Sequence, residues 1–212
     1  MRCEGIQERG VIARQFMLKV MIIFAAVFSP CLVKAESLAE TVKTVEATHF
    51  NRYVAEYKLP DVSVLRQDGQ KLAFLKALDD GRPVILNFVF ISCSAICPMM
   101  SHIFSKVQDK LTKEGQPFHL VTISIDPESD TPAMLTEYGK KFSAGPNWSF
   151  YTGSRAVSLA LQKAFKAYRG DKMNHAALIF LRPQPGKPWV RLEGFASPDV
   201  VVDEYKSLLH PN

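Results

Sequence analysis

Glycine-rich phosphate loops are missing from this sequence. Neither a dinucleotide fingerprint nor a P-loop occurs in its 212 residues, which removes the common routes to nucleotide chemistry. Internal repeats and low-complexity tracts are absent too, so neither a solenoid nor a disordered array is expected. There is no basic cluster with interleaved aromatics. Of the formal net charge of +5, Arg2, Arg9, Arg14, Lys19 and Lys34 against Glu4 and Glu8 place +3 before residue 36 and leave +2 for the rest. Nucleic acid is therefore not an expected partner. The apolar run over 20–33 is fourteen residues long and interrupted by Ser29 and Pro30, short of the roughly 20 residues that cross a bilayer comfortably.

That run instead has the form of an export leader. Lys19 precedes it, and Val33-Lys34-Ala35 before Glu36 resembles a small-residue cleavage site. Residues 1–35 are read as a signal peptide, with an uncleaved N-terminal anchor as the alternative, and Met17 is better placed than Met1 as its start. The expected location is exported: periplasmic, or facing the extracytoplasmic side of the membrane. The chain has four cysteines, and Cys3 and Cys31 fall in this leader. Only Cys93 and Cys97 remain for the mature protein.

Residues 36–58 carry a weak amphipathic pattern and read as a spacer or a helix packed on the domain. From 59 to 212, apolar runs suited to strands alternate with helical periodicity. Strands are expected near 62–66, 84–91, 118–125, 148–151, 176–181 and 189–192. Helices are expected after Pro98, Pro132, Ser154 and Pro198. The order predicts a single α/β domain with a mixed sheet flanked by helices. With 47% hydrophobic residues, the chain can bury a sizeable core.

The chemistry concentrates at Ile91-Ser-Cys93-Ser-Ala-Ile-Cys97-Pro98, where a buried strand hands over to a helix. Unpaired N–H groups and the dipole at a helix N-terminus favour thiolate over thiol. Such a pair admits three readings: a structural disulfide, a redox pair or a metal site. A disulfide closing so short a loop gains little, because the stabilisation rises with loop length. A closed zinc site wants four ligands, and no further cluster supplies them. Two thiolates and one imidazole suit Cu(I), and related sites take Cu(II). Among the five histidines, His175 is the best third ligand, standing where the polar loop 170–174 meets the strand at 176–181. His102 lies five residues beyond Cys97 and is turned away on the helix. Met99 and Met100 read as packing residues. Asp126 either orients a ligand or caps the turn at 128–131. Phe90 stands where a peroxiredoxin-like site would carry threonine three residues before its cysteine, which argues against peroxide chemistry.

Taken together, Cys93-Ser-Ala-Ile-Cys97-Pro98, the segment Val121-Thr-Ile-Ser-Ile-Asp126-Pro127-Glu-Ser-Asp130-Thr131-Pro132, and His175 before a strand resemble the SCO/SenC family over about 59–209. The resemblance implies a thioredoxin-like fold in which Cys93, Cys97 and His175 bind copper as Cu(I), Cu(II) or both. It implies a metallochaperone that takes copper from an upstream donor and delivers it to the Cu(A) subunit of cytochrome c oxidase. The alternative it offers is a thiol–disulfide oxidoreductase that reduces partner cysteines through Cys93 and Cys97. Asp126 matches an accessory acidic position. Asn174 stands where the family commonly has Asp, so the charge beside the histidine is lost, and Asp171 is a candidate substitute.

Overall fold

The strand Val84–Val89 (β4) forms the spine of the domain because both its faces are covered. Val84, Leu86 and Phe88 enter one hydrophobic layer, Ile85 and Val89 the other, and all six residues are buried. A strand with two covered faces needs apolar residues on both, and the one polar residue here, Asn87, accepts the Thr122 hydroxyl at 2.8 Å. The computed structural model describes residues 50–210 of the chain.

Before the spine come Phe50–Ala55 (β1), the hairpin Ser63–Arg66 (β2) and Lys71–Ala73 (β3), and the short helix Phe74–Leu78 (α1). After it follow Ile96–Lys113 (α2), His119–Ser124 (β5), Pro132–Lys141 (α3), Trp148–Thr152 (β6) and Arg155–Ala164 (α4). A 3-10 turn at Lys172–Asn174, Leu178–Arg182 (β7), Trp189–Gly194 (β8) and Pro198–Leu209 (α5) complete the order. The eight strands form one sheet in the order β1-β8-β7-β4-β5-β6-β2-β3. β5 lies parallel between β4 and β6, while β7 and β8 run antiparallel. This is the mixed sheet flanked by helices that the sequence predicts.

Helix starts follow sequence logic. Thr131, Ser154 and Ser197 each accept, through the side-chain oxygen, a backbone N–H three residues on, at 3.3 Å in every case. Each satisfies one of the otherwise unpaired donors of the first turn. α3 lies so close to β6 that a Cβ on Gly139 would stand 2.9 Å from the Phe150 ring, which explains a glycine inside a helix.

The spacer expected over 36–58 is corrected in its described part. β1 pairs antiparallel with β8 from Phe50 opposite Gly194 to Ala55 opposite Trp189, and so belongs to the domain's sheet. Its middle residues are exposed, as on an edge strand, so neither helical nor alternating hydrophobic patterning marks it. Arg52 adds a bidentate pair to Glu204 of α5, at 2.8 and 2.7 Å, and Phe50 packs on the core. An exposed pair of this kind contributes about 1 kcal/mol or less, so the ladder and Phe50 hold the strand. α4 also ends earlier than its periodicity suggests. Lys166 adopts φ 53°, in the left-handed region, and turns the chain before Tyr168, which is left exposed. The expected leader, with its start at Met17, lies outside the described residues. Among those described, no helix is long and apolar enough to cross a membrane.

One buried group makes folding depend on pH. His119 at the start of β5 is shut from solvent, and burial lowers its pKa from 6.5 to about 4 despite Asp80 nearby. The unfolded chain therefore binds a proton that the folded chain refuses. Stability from this group is complete above about pH 6.5 and is lost as pH falls toward 4, by on the order of 3 kcal/mol. Urea titrations of wild type and His119→Gln across this window should show a shallower fall in the variant; parallel curves would refute the assignment.

Candidate metal centre

Cys93 lies in the loop that leaves β4, and Cys97 occupies the first turn of α2, with Pro98 behind it. The loop is pinned from two sides. Asp130, fully buried between β5 and α3, accepts the Ile91 N–H at 3.2 Å and the Ser124 hydroxyl at 2.6 Å. Burial raises the Asp130 pKa against these hydrogen bonds. The Phe90 N–H donates to Cys97 Sγ at 3.4 Å, and the Cys97 N–H donates to Cys93 Sγ at the same distance. The Cys loop is thus held by main-chain N–H groups at a helix N-terminus, the geometry that supports thiolates.

His175 stands just before β7, whose start lies beside the C-terminal end of β4 because the two strands pair antiparallel. Its Nδ1 lies 2.9 Å from the Lys172 carbonyl oxygen. A carbonyl only accepts, so Nδ1 carries the proton and Nε2 presents a lone pair. That Nε2 lies 3.2 Å from Cys97 Sγ and 3.8 Å from Cys93 Sγ. The three donor atoms fall within 4.8 Å of one another, and no other His, Cys, Asp or Glu joins them among the described residues. The two cysteines are free thiols.

Electrostatics divide the pair. For Cys93, burial opposes ionisation, but N–H groups of Cys97, Ala95 and Ile96 outweigh it and hold the thiol below its ordinary pKa. For Cys97, burial dominates and drives the thiol strongly up. Burial also lowers the His175 pKa, keeping the imidazole neutral and able to coordinate. Cys93 is the half-exposed sulfur and Cys97 the buried one. Iodoacetamide at pH 7 should therefore modify Cys93 at least about ten-fold faster than Cys97, since the thiolate is the nucleophile. Peptide mapping of partly alkylated protein checks this, and equal labelling would contradict it.

The remaining sequence candidates fall around this cluster. Asp126 stands outside it. Its main-chain carbonyl, not its carboxylate, closes the following turn by accepting from Ser129 and Asp130, while its carboxylate pairs with Lys172 at 2.7 Å. Asn174 is exposed in the 3-10 turn. Asp171 caps that turn by accepting the Met173 N–H at 2.8 Å and so is engaged away from the sulfurs. His102 is exposed on the outer side of α2, as its spacing predicts. Met100 packs in the core, but Met99 is half exposed, a correction to its reading as a packing residue, because it falls beside the buried stripe of α2. From sequence, Lys172 has no assigned role, and Phe90 is marked only as the residue standing where a peroxiredoxin-like site has threonine. Asp130 is legible only as part of a helix-start signal and of the motif segment, with nothing to show that it reaches Ile91. Lys172 contributes a main-chain oxygen and a distant ion pair, neither of which has a sequence signature.

A soft-metal site follows from the donor set. Two sulfurs and one neutral imidazole nitrogen converge, with no fourth His, Cys, Asp or Glu ligand among the described residues, an arrangement suited to a three-coordinate thiophilic ion and not to closed tetrahedral zinc.

The family model described as SCO1/SenC matches residues 52–210. The chain is 28% identical over 162 residues to the SCO1 protein homolog of Bacillus subtilis, covering 71% of this chain and 82% of that relative. It is 26% identical over 185 residues to the SCO2-like protein of Rickettsia felis, covering 81% and 87%. Among solved structures, ScoI of Arabidopsis thaliana with copper bound superimposes with a TM-score of 0.62 at 27% identity, over 71% of this chain and 96% of that one. BsSco, described with a disulfide switch as a member of the Sco family of cytochrome c oxidase assembly proteins, gives a TM-score of 0.62 at 26% identity, over 74% and 95%.

Proposed function

The chain belongs to the SCO1/SenC family, and from that premise we propose that it is a thioredoxin-like copper chaperone for the Cu(A) centre of cytochrome c oxidase. The observation that carries this reading is the convergence of Cys93 Sγ, Cys97 Sγ and His175 Nε2 within 4.8 Å. Copper is the cargo. Cys97, buried and held by the Phe90 N–H, is the inner ligand; Cys93, half exposed, is the one a partner's ligand reaches first. Delivery then proceeds by ligand exchange at the open side of a three-coordinate ion, with no step that requires unfolding of the site. The Cu(A)-bearing subunit is the proposed acceptor, an upstream copper donor precedes this chain, and the proposed location is the extracytoplasmic side of the membrane, after export.

A second reading is supported by the thiols themselves. A Cys93 thiolate can attack a partner disulfide, releasing one partner thiolate and forming a mixed disulfide. Cys97 then attacks Cys93 Sγ, releasing the second partner thiolate and leaving a Cys93–Cys97 disulfide, so two electrons pass to the partner. The pKa order of the two cysteines favours Cys93 as the attacking residue.

Incubation of the copper-loaded chain with a metal-free Cu(A) domain, in reduced and oxidised forms, tests both. Transfer of copper to the reduced domain supports the chaperone. Rapid reduction of the oxidised domain by a chain that takes up no copper would replace it with the reductase.

A further inference from the structure

Beside the cluster, one side chain ties together three parts of the site that are far apart in sequence. We propose that Lys172 is the positioning residue for the His175 ligand, an inference that rests on the copper reading above and deepens it. The main-chain oxygen of Lys172 fixes the imidazole tautomer by accepting from Nδ1–H at 2.9 Å. Its ammonium is anchored twice, 2.7 Å from Asp126 Oδ2 in the loop after β5 and 5.5 Å above the Phe90 ring. The Phe90 ring stands edge-on to the His175 imidazole, centroids 5.0 Å apart, and the Phe90 N–H grips Cys97 Sγ. Lys172 therefore locks the atom that aims Nε2 to the same framework that holds the buried sulfur.

This lock has little to do with global stability. The Lys172 side chain is 41% exposed, and ion pairs so placed contribute little to folding. The 3-10 turn that carries the carbonyl is only three residues long and exposed, and its own restraints are local: the Asp171 cap, the Asn174 N–H donating to the Asp171 carbonyl at 3.1 Å and the His175 N–H donating to the Lys172 carbonyl at 3.2 Å. Those local bonds do not fix the turn against the sulfurs; removing the ammonium unties it from Asp126 and Phe90 and lets both imidazole tautomers populate, and the lost orientation is felt in metal retention. Residues that orient a ligand histidine typically carry 10–100-fold in metal affinity.

The test uses the full chain with ¹⁵N-labelled histidine, reduced and metal-free, as wild type, Lys172→Met, Lys172→Arg and Asp126→Asn. Long-range ¹H–¹⁵N spectra read the His175 tautomer, and chelator competition with Cu(I) reads retention. Wild type and Lys172→Arg should show the Nδ1–H form. Lys172→Met and Asp126→Asn should show a tautomer mixture and at least about ten-fold weaker copper retention, with unfolding midpoints unchanged. A pure Nδ1–H form in Lys172→Met, with wild-type retention, overturns the inference and leaves the chaperone reading standing. Wild type that takes up no copper overturns the chaperone reading instead, and the tautomer comparison still decides the role of Lys172.

Discussion

His175→Ala and Cys97→Ser should each lower Cu(I) affinity by two decades or more while leaving the fold intact. The size follows from dividing the binding energy among its donors. Structural thiolate and imidazole sites for zinc reach about 10–16 kcal/mol, so losing one donor of three costs at least about 3 kcal/mol, roughly a hundred-fold. Neither substitution should unfold the domain. His175 sits at the rim of the core, and a serine hydroxyl at position 97 can still accept the Phe90 N–H. Cys93→Ser removes an equally direct ligand but a more exposed one, so it should match the other two in affinity. Competition with a Cu(I) chelator of known affinity provides the measurement. A variant within three-fold of wild type would remove that residue from the ligand set.

Asp130→Ala should be the most destabilising change near the site, by about 2–4 kcal/mol. Its carboxylate accepts from the Ile91 N–H and the Ser124 hydroxyl, and both donors would be left buried and unpaired. Each unsatisfied buried group costs about 1–3 kcal/mol. Removing a buried carboxylate recovers part of its desolvation cost, and burial does work against the ionised form here. Two lost partners outweigh that recovery. The Cys loop, tied at Ile91 through this carboxylate to the turn before α3, should loosen as well, so copper should dissociate faster. Urea unfolding gives the first effect and stopped-flow chelation the second. Asp130→Asn, which keeps one acceptor oxygen, should lose about half as much stability. An alanine variant within about 0.5 kcal/mol of wild type would show that water or another group satisfies these donors.

These two residues mark how far the sequence could be read. β4 is legible because burial on both faces demands apolar residues at nearly every position, here all but Asn87, and the α2 start because Pro98 and the amphipathic stripe announce it. His175 was legible by its place ahead of a strand, once two thiols needed a third donor. Asp130 looked like a helix-start residue because a carboxylate that reaches back across the sheet to Ile91 has the same local sequence as one that caps the next turn. β1 was read as spacer because an edge strand with exposed middle residues leaves no hydrophobic period, and its partner β8 lies about 140 residues away in the chain. Lys172 was invisible for a different reason. The atom that orients His175 is a main-chain oxygen, which every residue type possesses, and only the three-dimensional pairing with Asp126 singles out this one.

Asn174 also changes meaning once placed in space. The charge missing beside the histidine is not replaced by Asp171, whose carboxylate is spent on the Met173 N–H. Asp171 caps the turn, and the carboxylate that ties the turn to the rest of the domain is Asp126, through Lys172. The site therefore orients its imidazole through an ion pair and a carbonyl in place of an adjacent acid.

The most direct measurement is X-ray absorption at the copper edge, on reduced chain loaded with one equivalent of Cu(I). Two sulfur donors and one imidazole nitrogen should make up the first shell, with one sulfur lost in Cys97→Ser and the imidazole lost in His175→Ala. A first shell containing no sulfur, or one unchanged in both variants, would contradict the assignment of Cys93, Cys97 and His175 as the copper ligands.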